Sequence, residues 1–196
     1  MDNHLNAIRG ILLGIGERLE GNLVCDIHPD NMQTEHNKEK IHNLRHLVKG
    51  KQSVCEIGVN AGHSTLLMLD VNPTAAYTLF DIGIHAYTRP CVAYIQSVYP
   101  STKIDIAYGD SKETVPLCKG TFDLIHVDGG HLFPEVKSDY TESIRLIKPG
   151  CPIVFDDYDF PVIRAFLDEK LHAGEIVRFY DEGLLATGRQ AIVTVA

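Results

Sequence analysis

Three aspartates in the second half of the chain have the type and spacing of a cation site. Asp128 opens the run Asp-Gly-Gly-His that ends at His131, and the pair Asp156-Asp157 follows 28 and 29 residues after Asp128. Each acidic group follows an apolar run, so we expect three carboxylates at neighbouring strand ends, where they repel one another unless protonated or bound to a cation. Oxygen ligands favour Mg²⁺, Mn²⁺ or Ca²⁺ over zinc. This pattern predicts a metal site; the alternative is solvated or helix-capping aspartates, with His131 as an ordinary loop histidine.

A second segment, from Val54 to Ser64, has the pattern of an apolar strand, a glycine turn and a helix start. Gly58 and Gly62 permit torsions that a Cβ would forbid, and the free N–H groups of the helix start favour an anionic group. The three-glycine dinucleotide fingerprint is absent, because Asn60 and His63 stand where it requires small residues. The segment predicts a nucleoside-like ligand, with an ordinary strand-to-helix turn as the alternative.

Further polar groups follow other apolar runs, at the edge where an open α/β sheet binds its ligand. Asp81 is placed either to accept both ribose hydroxyls of a nucleoside or to cap a helix, and Asp110-Ser111 either contacts an adenine or caps the next helix. The predicted ligand-binding residues are Glu56, Gly58, Asn60, Gly62, His63, Ser64, Asp81, Asp110, Ser111 and His126.

The hydrophobic periodicity alternates between strands and amphipathic helices, which predicts one α/β domain over 1–196 with a doubly wound, mostly parallel sheet. Seven strands are predicted at 52–57, 76–81, 103–107, 122–127, 151–155, 175–180 and 189–195. Helices are predicted between them at 63–70, 87–98, 112–118, 134–147 and 161–172. No helix separates the last two strands, so they should form an antiparallel C-terminal hairpin.

Two more helices, at 3–20 and 36–49, precede the sheet and are predicted to form a lid over the 51–196 core. Apolar residues recur at helical spacing from Leu5 to Leu19, and we expect this face to pack on the chain's own sheet rather than on a second subunit. The oligomeric state is otherwise open.

Composition excludes several classes of protein. A net charge of −8 opposes binding to nucleic acid or anionic lipid. Five cysteines without a C-x-x-C pair suggest neither a disulfide framework nor a zinc site, and no window is apolar enough to span a membrane. We therefore predict a cytoplasmic protein that acts on a small molecule.

These segments resemble a known group of enzymes. Glu56-x-Gly58-x-Asn60-x-Gly62 resembles the first motif of class I S-adenosylmethionine (SAM) dependent methyltransferases. Asp128, His131, Asp156 and Asp157 have the spacing of the site in metal-dependent O-methyltransferases of the catechol and caffeoyl-CoA type. The segments 122–131 and 148–158 look still more like the group of macrocin O-methyltransferases and cephalosporin-hydroxylase-like proteins. Met32-Gln33-Thr34 matches a cofactor-contacting stretch of the catechol enzymes.

The resemblance implies SAM across Glu56–Ser64, Asp81 and Asp110–Ser111, with a hydroxyl acceptor at a divalent metal held by Asp128, Asp156 and Asp157. His131 stands where the catechol enzymes have a lysine base, and Asp157 stands where they have asparagine. An imidazole of pKa about 6.5 can serve as the base at neutral pH. The resemblance thus implies that His131 and Asp128 are catalytic.

Other functions stay open at this point. An NAD-linked oxidoreductase would use the same glycine turn, and a metal-independent methyltransferase acting on nitrogen or protein would leave the aspartates structural. A noncatalytic SAM-binding module is a third alternative. The sequence does not indicate which acceptor is used. The loops expected to determine acceptor specificity contain no recognisable motif; they are 25–35, 83–90, 129–135 and 157–161.

Overall fold

The computed structural model describes residues 2–21 and 37–196 of the chain. Its helices are α1 (Asp2–Ile15), α2 (Lys38–Leu47), α3 (His63–Val71), α4 (Thr88–Val98), α5 (Ser111–Thr114), α6 (Phe133–Leu146) and α7 (Pro161–His172). Its strands are β1 (Ser53–Ile57), β2 (Ala76–Asp81), β3 (Ile104–Tyr108), β4 (Leu124–Val127), β5 (Ile153–Phe155), β6 (Ile176–Arg178) and β7 (Ala191–Val195). The predicted Met32-Gln33-Thr34 contact and the acceptor loop 25–35 lie outside the described residues.

All seven strands form one sheet in the order β3-β2-β1-β4-β5-β7-β6. The first five strands pair in parallel, whereas β7 is antiparallel to both β5 and β6. This confirms the predicted Rossmann-like doubly wound sheet with an antiparallel C-terminal hairpin. Strands β2 and β3 are added on one side of β1 and strand β4 on the other, so the strand order reverses between β1 and β4; such sheets bind ligands at this point of their carboxyl edge.

The two faces of the sheet carry separate cores. Val54, Leu79 and Leu124 point to one face, where they pack with residues of α1 to α4, while Ile57, Ile125 and Phe155 point to the other, with residues of α6 and α7. Side chains alternate along each strand, so both faces are apolar only because helices cover both. The nearly continuous apolar runs of the strands are the sequence signature of this arrangement.

The first helix is shorter than predicted. It ends at Ile15, and Gly16 follows in the left-handed conformation with φ 77° while its N–H donates to the carbonyl of Leu12 at 3.0 Å. A glycine in this conformation is a common helix terminator. Leu5 and Ile8 of α1 are buried in the chain's own core, as predicted from their spacing.

The N-terminal helices pack along the flank of the core, α1 against α4 and α2 against α3. The parts of the described N-terminal region that reach the carboxyl edge of the sheet are the segment after α1 and one side chain of α2. No helix in the described ranges is long and apolar enough to cross a membrane.

Candidate active site at the carboxyl edge of the sheet

Strand register places the predicted ligand-binding turn after β1 beside the predicted metal site after β4 and β5. Ile57 of β1 pairs with Val127 of β4, and Val127 pairs with Phe155 of β5. The residues that follow these three are Gly58, Asp128 and Asp156. The glycine turn and the acidic cluster therefore begin at the same level on adjacent strands.

The glycine turn is built from left-handed residues. Gly58, Asn60 and Gly62 have φ of 88°, 55° and 78°. A Cβ on Gly58 would lie 1.9 Å from the carbonyl oxygen of Asp128, so no other residue fits there without moving the main chain. Sequence reasoning expected the glycine to permit approach to a ligand; the structure shows that it also permits approach to the neighbouring turn.

Asp81 organises the glycine turn from the end of β2. One carboxylate oxygen accepts the N–H groups of Val59 at 2.9 Å and Asn60 at 2.8 Å, and the other accepts the N–H of Gly83 at 2.7 Å. The residue is 8% exposed. These contacts show Asp81 bound to the main chain of the turn, and its contact with ribose stays a prediction.

The segment after α1 is attached to the same turns. The Asn60 side chain donates to the carbonyl oxygens of Glu20 and Gly21, and the Glu17 carboxylate accepts from His85 Nδ1 at 2.8 Å and from the N–H of Ala86 at 2.7 Å. Residues 16–21 thus lie against the loops that follow β1 and β2.

Below the glycine turn lies a buried polar network that connects β1, α3, β4 and β5. The hydroxyls of Ser64 and Thr65 donate to the two oxygens of Glu56. Glu56 Oε1 also lies 2.9 Å from His126 Nδ1, and His126 Nε2 lies 3.7 Å from Asp156 Oδ2. Both Glu56 and His126 are fully buried, so the network connects the glycine turn with the acidic cluster from within the sheet.

The ring of His126 lies between two carboxylates in this network. Burial opposes a positive charge on the ring, but the carboxylates of Asp156 and Glu56 outweigh it and raise the pKa of His126 to about 10. Its side chain faces carboxylates rather than the cleft. Contact of His126 with a cofactor stays a prediction, whereas its contact with Glu56 is observed.

Two of the three aspartates predicted for the metal site lie together with His126, and Asp157 is not in this group. Ligand atoms of His126, Asp128 and Asp156 lie within 4.8 Å of one another. Burial, followed by the negative charge of Asp156, raises the pKa of Asp128 to about 7. Burial is the larger of these causes, because a carboxylate removed from water is easier to protonate.

The cluster contains a cation that the sequence did not reveal. Lys40 of α2 extends its ammonium to 2.6 Å from Asp156 Oδ1 and 3.5 Å from Asp157 Oδ1, and the residue is 4% exposed. Burial opposes the charge, but the attraction of Asp156, Asp157 and Asp128 raises the pKa of Lys40 above its usual value. The carboxylates therefore already share one cation supplied by the chain.

The cluster offers donor atoms for a divalent cation. Four acidic groups, Glu56, Asp128, Asp156 and Asp157, lie beside four basic ones, Lys40, His126, His131 and Arg189. The ligand atoms that lie together are a ring nitrogen of His126 and carboxylate oxygens of Asp128 and Asp156. Within the described part of the chain, His126 Nε2 has no hydrogen-bond partner, and the Asp157 carboxylate lies next to this group, near Lys40. Oxygen donors of this kind suit Mg²⁺, Mn²⁺ or Ca²⁺.

Asp157 and His131 face each other at the outer side of the cluster. Asp157 adopts φ 50°, and its Oδ2 lies 3.2 Å from His131 Nε2. Burial would raise the pKa of Asp157, but the hydrogen bond from His131 and the charge of Lys40 lower it to about 2. His131 is half-exposed, and its ring lies 4.8 Å from that of Phe160.

The surface around His131 is apolar. The side chains of Leu132, Phe133 and Phe160 are exposed there, and Val136, Phe155 and Ile163 line a small cleft with Asp128 and His131. Asp139 also lines this cleft, and burial raises its pKa to about 6. An acceptor bound at His131 would thus meet apolar side chains on one side and carboxylates on the other.

Other predicted ligand contacts have different neighbours in the structure. Asp110 caps α5: its carboxylate accepts the N–H of Lys112 at 2.9 Å and pairs with the Lys112 ammonium at 2.9 Å. This is the capping alternative considered for Asp110-Ser111, and adenine contact by either residue stays a prediction. His63 is buried at the start of α3, and burial lowers its pKa to about 4, so the ring is neutral at pH 7.

Three residues of the site were missed by sequence reasoning: Lys40, Thr65 and Asp139. Thr65 directly follows the predicted Ser64 at a helix start and could have been included. Lys40 and Asp139 lie on amphipathic helices, where an isolated charge usually faces solvent, so no local signal separates them from surface residues.

Comparison with known proteins agrees with this geometry. A family model described as a methyltransferase domain matches residues 55–158. No curated protein sequence matches the chain.

Several solved structures share the fold. Cofactor-bound Rv0187 from MTB has 18% identity and a TM-score of 0.71, and the match covers 100% of this chain and 90% of that one. The O-methyltransferase TomG from Streptomyces achromogenes, in complex with SAM, has 14% identity and a TM-score of 0.67 over 100% and 90%. The O-methyltransferase from Bacillus cereus, in complex with SAH, has 13% identity and a TM-score of 0.67 over 100% and 92%. At these identities the likeness establishes the fold.

Proposed function

The chain belongs to the family of methyltransferase domains, and from this premise we propose that it transfers the methyl group of SAM to a hydroxyl oxygen of a small molecule. Two of the structurally similar proteins are O-methyltransferases with SAM or its demethylated product SAH bound. The acceptor oxygen is suggested by the chemistry of the neighbouring site, where His131 could act as a general base and carboxylate oxygens could bind a metal.

The main-chain contact between Gly58 and Asp128 is the observation that carries the proposal. It places the turn that would bind SAM directly against the turn that leads to His131. A donor on one turn and an acceptor at the other would then be close enough for direct transfer. Bringing reactants together in this way is a large part of enzymatic rate enhancement.

In the proposed reaction neutral His131 takes the proton from the acceptor hydroxyl at Nδ1, because Nε2 is the ring nitrogen that donates to Asp157. The oxygen lone pair attacks the methyl carbon, the carbon–sulfur bond breaks in line, and its electron pair stays on sulfur to give SAH. The methyl ether and protonated His131 are the other products. General-base assistance of this kind is typically worth about 10²–10⁴ in rate.

Asp128, Asp156 and Asp157 would hold a divalent ion, with Mg²⁺ the first choice and Mn²⁺ or Ca²⁺ as alternatives. When bound, such an ion supplies Lewis-acid stabilisation of the acceptor oxygen. The chain's own part is to position the three carboxylates, and the buried Glu56–His126 pair lies directly below that of Asp156.

The proposal is tested by calorimetric titration with SAM, SAH and NAD, followed by assays for SAH release and methylated product against a panel of aryl, alkyl and sugar hydroxyls. We expect binding of SAM and SAH but not NAD, and turnover that falls on treatment with EDTA and returns with Mg²⁺. Binding of NAD alone would favour an oxidoreductase, and SAM binding without any product would favour a noncatalytic module.

EDTA also separates the two methyltransferase mechanisms. Turnover that is unaffected by EDTA, in both the original protein and the Asp128→Ala variant, would support a metal-independent enzyme acting on oxygen, nitrogen or protein. An amine or peptide panel run beside the hydroxyls then identifies the acceptor atom.

A further inference from the structure

We propose that Lys40 is a resident counter-ion of the acidic cluster that competes with the divalent cation for Asp156. The inference rests on the proposed metal site and adds to it a control on metal affinity. Metal binding at Asp156 would require the Lys40 ammonium to withdraw from this carboxylate.

Lys40 is buried. A lysine is rarely buried unless it is paired, because removing its charge from water is costly. Here the partners are Asp156 Oδ1 at 2.6 Å and Asp157 Oδ1 at 3.5 Å. The ammonium is therefore held by the same carboxylates that we assign to the metal.

Both carboxylate oxygens of Asp156 already have neighbours that a metal ion would have to displace or share. Its Oδ1 accepts the N–H of Asp157 at 2.9 Å in addition to Lys40, and its Oδ2 lies 3.7 Å from His126 Nε2. A divalent ion binds a carboxylate oxygen at about 2.0–2.6 Å. Such an ion on Asp156 would stand next to the ammonium, and two cations that close in a partly buried site repel strongly.

The side chain of Lys40 can move while helix α2 stays in place. Asn37, at the start of α2, accepts from Arg189 Nη1 at 2.9 Å. Asn43, one turn after Lys40, exchanges hydrogen bonds with the main chain of Leu185 at 2.8 and 3.0 Å. These contacts fix the backbone of α2, whereas the four-carbon stem of lysine is flexible.

Direct measurement of Mn²⁺ binding, by calorimetry or electron paramagnetic resonance, tests the competition without relying on activity. Lys40→Met keeps the apolar stem and removes the charge, and we expect it to bind Mn²⁺ at least tenfold more tightly than the unmodified protein. Lys38→Met is the matched control, because Lys38 is exposed on the same helix and its replacement changes the net charge equally. Mn²⁺ affinity in Lys40→Met equal to that in Lys38→Met would overturn the proposal.

A second measurement uses the unmodified protein, in case Lys40→Met does not fold. Amine labelling followed by mass spectrometry should show that Mn²⁺ increases the labelling rate of Lys40 several-fold and leaves that of Lys38 unchanged. An unchanged rate at Lys40 under saturating Mn²⁺ would contradict the withdrawal of its ammonium.

The competition and the proposed function can fail separately. If Lys40→Met binds Mn²⁺ more tightly but no hydroxyl is methylated, the role of Lys40 as a counter-ion is supported and the proposed reaction is wrong. If hydroxyls are methylated but neither the unmodified protein nor Lys40→Met binds Mn²⁺, the proposed reaction is supported and the competition is wrong.

Discussion

His131 Nε2 lies 3.2 Å from Asp157 Oδ2, so the proposed base is paired with one of the proposed metal ligands. The hydrogen bond to Asp157 raises the pKa of His131; burial opposes the rise, and the charges of the neighbouring aspartates add to it. A protonated imidazole cannot accept the acceptor's proton. Turnover should therefore be low at acid pH and rise as pH increases through the raised pKa.

We predict an acidic limb in the pH profile of kcat/KM, with an apparent pKa above about 6.5, the unperturbed value for histidine. Asp157→Asn removes the negative charge beside the ring, so the limb should move to lower pH. The measurement is kcat/KM across the neutral range in both proteins, with Mg²⁺ saturating. A limb at the same pH in both would assign the titration to another group.

Replacing His131 by Ala should lower kcat by about 10²–10⁴, the usual contribution of a general base. The affinity for SAH should change little, because the glycine turn and Asp81 are untouched. His172→Ala is a suitable control, since His172 is an exposed histidine that bonds to the Asp168 carbonyl of its own helix. Equal kcat in the two variants would remove His131 from the mechanism.

Replacing Asp81 by Ala should weaken SAM binding more than it slows turnover at saturating SAM. The carboxylate accepts three N–H groups that shape the turn, and hydrogen bonds to charged groups are worth roughly 1.5–3 kcal/mol each. We expect at least a tenfold loss of SAH affinity, or about 1.4 kcal/mol, by calorimetry. Asp105→Ala, at an exposed position on β3, should bind SAH normally.

Replacing Gly58 by Ala should destabilise the fold and the site together. The left-handed backbone alone costs about 1–2 kcal/mol for a residue with a Cβ, and the clash with the Asp128 carbonyl comes in addition. Gly150→Ala isolates the two effects, because Gly150 has φ 73° and open space around its Cβ position.

Urea unfolding of both glycine variants gives the comparison. A larger loss of unfolding free energy in Gly58→Ala than in Gly150→Ala is expected from the extra contact. If the two losses agree within error, the turns after β1 and β4 do not approach as described.

The sequence predicted the fold well because its signals are local and repeated. Continuous apolar runs such as Leu124–Val127 indicate strands covered on both faces, and the helix patterns between them require parallel crossovers. The ends were less accurate: β5 begins at Ile153 rather than 151, and α1 ends at Ile15 rather than 20. At Gly16 a left-handed cap ends a helix that the apolar spacing alone would continue.

The site was predicted only where the chemistry follows directly from a strand end. Asp128 and Asp156 were found because their strands are adjacent and end at the same level. Lys40 could not be found, since it reaches Asp156 from a helix more than a hundred residues away in sequence. The pairing of Ser64 with Glu56 was also missed, because both were assigned to the ligand rather than to each other.

The turns after β1 and β4 meet through their main chains, at Gly58 and the Asp128 carbonyl. Because this contact is between backbone atoms, side-chain substitutions elsewhere in the site do not change its spacing. Substitutions meant to change the acceptor would therefore have to be made at the edge of the cleft, where Leu132, Phe133 and Phe160 are exposed. The proposed SAM-binding turn would keep its shape in such variants.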